Sequence, residues 1–110
     1  MTTNLDLNHN EKTLTLRVAG DLTSTNAEAL RNEVKPMLEI PKDAARTWDT
    51  FKVDLTAAKM IDSMGLNLVV GWYKRVQGLD AKMQVAYSSP NILRTFVFTR
   101  LDKHIELVKV

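Results

Sequence analysis

A chain of 110 residues, 45% hydrophobic and 25% charged, is long enough for one packed core and too short for two, so a single domain over 1–110 is expected. Without cysteine it has neither a disulfide nor a thiolate metal site, and its net charge of +2 is interspersed among acids and bases, leaving no basic stripe for nucleic acid. No apolar run reaches membrane-spanning length, and Met1-Thr2-Thr3-Asn4 lacks signal-peptide character, so a cytoplasmic protein with no direct membrane insertion is expected.

Leu5 and Leu7 alternate with Asp6 and Asn8 as a short first strand. A turn over 8–12 leads to a second strand, where Leu14, Leu16 and Val18 alternate with Thr13, Thr15 and Arg17. Gly20-Asp21 breaks it. Thr25 and Glu28 have capping-box spacing, and Ala27, Leu30, Val34 and Leu38 form the inward stripe of a first helix that Pro36 should kink or end. The segment 40–50, IPKDAARTWDT, has no period and reads as a surface connection whose Trp48 pins it to the sheet edge.

From Phe51 to Val76 the period changes. Phe51, Val53 and Leu55 alternate as a strand, then Leu66, Val69, Val70, Tyr73 and Val76 fall at helical spacing as an inward stripe. Asp62-Ser63-Met64-Gly65 joins the two, with Ser63 predicted as the helix N-cap. A capping serine needs no further role, yet its hydroxyl stands at the positive end of a helix, where phosphate is well received. Met64, Leu68 and Trp72 lie opposite the inward stripe. They pack on a neighbouring helix or form an exposed apolar strip beside Ser63 that marks a partner surface. Lys74 and Arg75 read as solvated.

Gly78 closes that helix, and Met83, Val85 and Tyr87 alternate along a fourth strand. Ser89-Pro90 caps and opens a third helix with Ile92, Leu93, Phe96 and Val97 inward, and a last strand occupies 103–110. Strands alternating with helices predict a mixed α/β sheet, with an antiparallel first pair and right-handed parallel crossovers after it.

The run VDLTAAKMIDSMGLNLVVGWYKR resembles the signature of the STAS domain family, specifically its anti-sigma factor antagonists. Val53, Asp54, Leu55, Ile61, Asp62, Ser63, Gly65, Leu66, Gly71, Tyr73, Lys74 and Arg75 carry the match. The resemblance implies a curved sheet of about five strands with helices mainly on one side. It implies no catalysis but a switch, in which Ser63 is the phosphoacceptor of a serine protein kinase that doubles as the anti-sigma factor. The unmodified protein binds that kinase, and a PP2C-type phosphatase resets it. Asp62, Met64, Gly65, Leu68, Trp72 and Asp21 would then form the partner surface. Met64, Asn67 and Arg100 depart from the family pattern (the last two where glycine is common), which bears on the partner more than on the fold.

The remaining chemistries are poorly supplied. Ser63 lies in D-S-x-G rather than G-x-S-x-G, and only His9 and His104 exist to serve as a base, so a serine-dependent enzyme is disfavoured. No metal-ligand spacing and no phosphate-cradling glycine loop is found among Gly20, Gly65, Gly71 and Gly78, so no metal or cofactor is expected. The alternative within the family is a non-switching STAS scaffold of a signalling complex or lipid-transport assembly.

Overall fold

The computed structural model describes residues 3–8, 10–41 and 43–110, with residues 3 and 4 as backbone alone. Strands β1 (Thr3–Asn8) and β2 (Thr13–Val18) pair antiparallel, placing Leu5 opposite Leu16 and Leu7 opposite Leu14. Strands β3 (Thr50–Leu55), β4 (Lys82–Tyr87) and β5 (Glu106–Lys109) then add in parallel, so the spatial order β1-β2-β3-β4-β5 follows the chain. Helices α1 (Ala27–Leu38), α2 (Ser63–Gly78) and α3 (Pro90–Phe98) connect the parallel strands, and a 3-10 turn (Leu101–Lys103) precedes β5. Each crossover advances one strand in the same direction. Right-handed connections then leave all three helices on one face.

Period-2 alternation decides which side chains meet those helices. Leu14, Leu16, Phe51, Val53, Leu55 and Val85 are buried beneath them. The opposite face is polar, with Arg17 between Asp6 at 3.7 Å and Asp54 at 4.0 Å, and Gln84 Nε2 donating to Glu106 Oε1 at 3.0 Å. Such a face needs no cover. The long connection before β3 is anchored as expected, because Trp48 is buried. Arg46 lies 5.5 Å over its ring and donates to its carbonyl.

The structure corrects several local expectations. Asn26 takes the N-cap position of α1 without a side-chain bond into the helix, in place of the expected Thr25–Glu28 box. Asn26 Oδ1 accepts from Thr23 N–H and its Nδ2 donates to Asp21 C=O, which folds the preceding turn tightly enough to delay the helix start. Pro36 stays inside α1, which ends two residues later. Val97 of α3 is exposed, leaving Ile92 and Phe96 as its buried face. Strand β5 begins at Glu106, after the 3-10 turn. Arg100 opens that turn at φ 63°, the left-handed region that explains why glycine is common there.

Helix α2 departs most from its prediction. Its buried residues are Gly65, Leu68, Val69, Trp72 and Val76, while Leu66, Val70 and Tyr73 are half-buried. A helix that packs on the sheet and on α1 together buries a wider arc than one stripe. Trp72 meets Phe51 of β3 edge-on, with ring centroids 5.7 Å apart, and with Leu68 and Leu38 it fills the seam between α1 and α2. The exposed-strip reading therefore fails for Leu68 and Trp72. Met64 alone of the three is exposed.

Candidate functional site

The site is the junction of two turns at the carboxyl ends of β2 and β3. Leu22 forms a parallel bridge with Ile61. Leu22 N–H donates to Met60 C=O at 3.2 Å, and Asp62 N–H donates to Leu22 C=O at 3.2 Å. Two aspartates then cross-brace the turns. Asp21 Oδ1 accepts from the N–H groups of Lys59 (2.8 Å) and Met60 (3.2 Å), reaching from the first turn to the second. Asp62 reaches back, with Oδ2 accepting from Ser24 N–H at 2.9 Å. Its Oδ1 accepts from Gly65 N–H at 2.9 Å, which makes Asp62 the N-cap of α2.

Ser63 is thus the first helical residue rather than the cap. Asp62 holds the extended φ and ψ that a cap requires, and a carboxylate fills the role with two oxygens at once. Relieved of that duty, Ser63 is exposed, and no hydrogen bond from its hydroxyl is found among the described residues. The helix can approach Leu22 only because position 65 lacks a side chain. A Cβ on Gly65 would stand 2.3 Å from the Leu22 carbonyl oxygen and 2.9 Å from its Cγ.

The charge of Asp62 is held by the same bonds. The Gly65 N–H, then that of Ser24, pull its carboxyl below the usual aspartate range. It stays ionised, so the helix terminus already has an anion before any phosphate arrives.

Of the predicted site residues, Asp62, Ser63 and Met64 share this exposed turn, with Asp21 bracing it from behind. Gly65 is buried against Leu22, and Leu68 and Trp72 belong to the core, so these three offer no surface to a partner. Sequence reasoning missed Met60, which is 51% exposed. It also missed Phe98 at the end of α3, 89% exposed, which with Met60, Lys59 and Arg94 lines an open groove. Two large apolar side chains in one exposed groove are the signal, but the sequence cannot bring positions 60 and 98 together.

Among the described residues no histidine stands beside Ser63 as a catalytic base. His9 lies outside the described residues. His104 is exposed and packs against Tyr73 with ring centroids 5.8 Å apart, and Tyr73 lies about 15 Å along α2 from Ser63 at 1.5 Å per residue. Among the described residues no three metal-ligating side chains converge, and no helix is long and apolar enough to cross a membrane.

A mixed five-stranded sheet, helices on one face and a D-S-x-G helix start at the sheet's carboxyl end define a known class. The STAS domain model matches residues 4–110, and the chain belongs to that family. Within it the chain is similar to the anti-sigma-B factor antagonist of Bacillus subtilis strain 168, at 26% identity over 107 residues, covering 97% of this chain and 92% of that one. Solved structures agree on the fold. A proposed anti-sigma factor antagonist of Thermotoga maritima superposes with a TM-score of 0.82 at 15% identity, over 98% of this chain and 86% of its own. The Bacillus cell-fate determinant SpoIIAA in its phosphorylated form gives 0.74 at 17% identity, over 99% and 91%.

Proposed function

We propose that this protein is a phosphorylation-controlled interaction switch, an anti-sigma factor antagonist whose Ser63 is the phosphoacceptor. Unmodified, it binds a serine protein kinase that doubles as the anti-sigma factor. Phosphorylation ends binding, and a PP2C-type phosphatase restores it. The observation that carries this reading is the exposed Ser63 hydroxyl, without a hydrogen bond among the described residues, on a terminus braced by Asp21 and Asp62. The similarity to the Bacillus antagonist over nearly the whole chain supports it. Met60 and Met64, exposed on either side of Ser63 in the sequence, supply with Phe98 the apolar contact area of the partner surface.

Magnitudes explain why such a switch acts on the interface and spares the fold. A phosphate adds about −1.5 to −2 charges at pH 7. On the free protein it projects into water, so its repulsion by Asp62 is screened. Against it stand Leu68, Val69, Trp72 and Val76, each contributing about 1.5 to 3 kcal/mol by burial, an upper estimate. In a complex the same dianion loses its water beside an ionised carboxylate, which costs several kcal/mol, and about 1.4 kcal/mol is a factor of ten in affinity.

The test is a pair of variants assayed with the cognate kinase. Ser63→Ala is expected to bind it and take up no phosphate by intact mass, while Ser63→Asp folds normally and binds at least about tenfold more weakly. Undiminished phosphate incorporation in Ser63→Ala removes Ser63 as the acceptor.

A further inference from the structure

The groove that Met60 and Phe98 line is an apolar surface left in contact with water. Phe98 is 89% exposed and Met60 51%, so neither side chain is spent on the core. About 450 Å³ of space lies between two walls, the segment 59–61 on one side and Asn91, Arg94, Thr95 and Phe98 of α3 on the other. Those four positions follow the i, i+3, i+4, i+7 row of one helix face. The charge along the groove has one sign. Lys59 and Arg94 line it, no carboxylate among the described residues does, and neither cation enters an ion pair there. Arg94 Nη1 makes one long contact of 3.4 Å to Asn91 Oδ1, which leaves most of its fork unspent.

Backbone bonding decides the form an occupant takes. The N–H groups of Lys59 and Met60 donate to Asp21, the Met60 carbonyl accepts from Leu22 N–H, and the opposite wall is a helix bonded within itself. Neither wall offers an edge to an added strand, so the occupant satisfies its own backbone, as a helix does. Charge decides its composition. Cations beside exposed apolar side chains, with no acid between them, match a helix that is apolar on one face and acidic at its borders. A second copy fits poorly, because a two-fold contact through Phe98 sets the Lys59 and Arg94 of one chain against those of the other. An anionic membrane fits poorly too, since lipid surfaces are read by clusters of about four to eight basic residues. Taking this face as the partner surface, we propose that the groove receives an acidic amphipathic helix of the partner protein. A leucine- or phenylalanine-sized side chain lies against Phe98 and Met60, and carboxylates meet Lys59 and Arg94. Met60 and Ser63 are three positions apart, so their Cα atoms are at most about 11 Å from each other. That is close to the screening length of about 10 Å in 0.1 M salt, so a phosphate on Ser63 also repels the acidic helix.

Fluorescence anisotropy on the purified full chain, without kinase, tests this with a labelled helical peptide of about 18 residues, leucine and phenylalanine on one face and glutamate along its borders. Saturable binding is expected, with a Kd below about 1 mM. Phe98→Ala should weaken it at least about tenfold and leave the urea midpoint in place, since so exposed a side chain holds no core contact. Arg94→Glu should weaken it by a similar factor, and raising NaCl from about 50 to about 300 mM should weaken it several-fold. Lys109→Glu, an equal charge reversal on β5, should change it by less than about twofold. Absence of saturation below about 1 mM overturns the proposal, as does equal binding of the same peptide with lysine for every glutamate. Unaltered affinity in Phe98→Ala, or equal weakening by Lys109→Glu, also overturns it. Dimerisation of the chain that Phe98→Ala abolishes would assign the groove to a second copy instead, and binding to phosphatidylglycerol vesicles that it abolishes would assign it to a membrane. Phosphate uptake at Ser63 is read in a separate assay, so the groove and the acceptor can fail independently.

Discussion

Gly65 shows how one absent side chain positions another, that of the proposed phosphoacceptor Ser63. The first turn of α2 presses on the Leu22 carbonyl so closely that a methyl group has no room, and the obstacle is main chain that cannot swing aside. Gly65→Ala is expected to lose about 1–3 kcal/mol by urea unfolding, the cost of overpacking, despite the higher helix propensity of alanine. Its phosphate uptake should fall too, because the terminus must back away from the brace. Asp62 yields a pH signature. Its carboxyl titrates lower in the folded state than in the unfolded chain, so its stabilisation is complete above the unfolded value of about 3.9 and disappears as pH falls through the folded one. The urea midpoints of the native protein and Asp62→Ala should therefore differ by a constant amount above about pH 5 and converge below about pH 4.

Helix α2 divides its duties by direction. Trp72 and Leu68 face the sheet and α1, Met64 faces water, and Ser63 sits on the end. Trp72→Ala should cost about 3–5 kcal/mol in unfolding experiments. Met64→Ala should change stability by less than about 0.5 kcal/mol while weakening kinase binding, which separates a core position from a partner-facing one eight residues away. Arg75 is exposed as expected, yet it also donates from Nε to the Leu38 carbonyl at 2.8 Å and from Nη2 to that of Ile40 at 3.1 Å. It satisfies carbonyls that the end of α1 leaves open and ties the two helices together. Arg75→Ala should lose about 1 kcal/mol and show faster amide exchange at the C-terminal end of α1.

A sheet covered on one face only, with its turns gathered at the carboxyl ends of the strands, keeps the core apart from the proposed switch site. The core lies between sheet and helices, so a charge added at the Ser63 end removes no buried contact. On the proposed reading, that separation would let phosphorylation end binding while the protein stays folded.

Periodicity alone revealed the element order, the antiparallel opening pair and the extended-to-helical change at Asp62-Ser63, because alternation and helical spacing are properties of neighbouring residues. It misjudged the face of α2 by about one residue, since the buried arc depends on α1 as well as the sheet, and α1 lies some thirty positions earlier. It made Ser63 the cap where Asp62 takes that role, because both residue types are good caps. Ser24, 38 residues away, then lends Asp62 a second bond. The sequence by itself determined that a hydroxyl would stand at the start of a helix after the central strand. Only the tertiary structure decided that the hydroxyl is exposed, that Leu68 and Trp72 are out of reach, and that Met60 and Phe98 meet in one groove, because each depends on distant backbone brought into contact by folding.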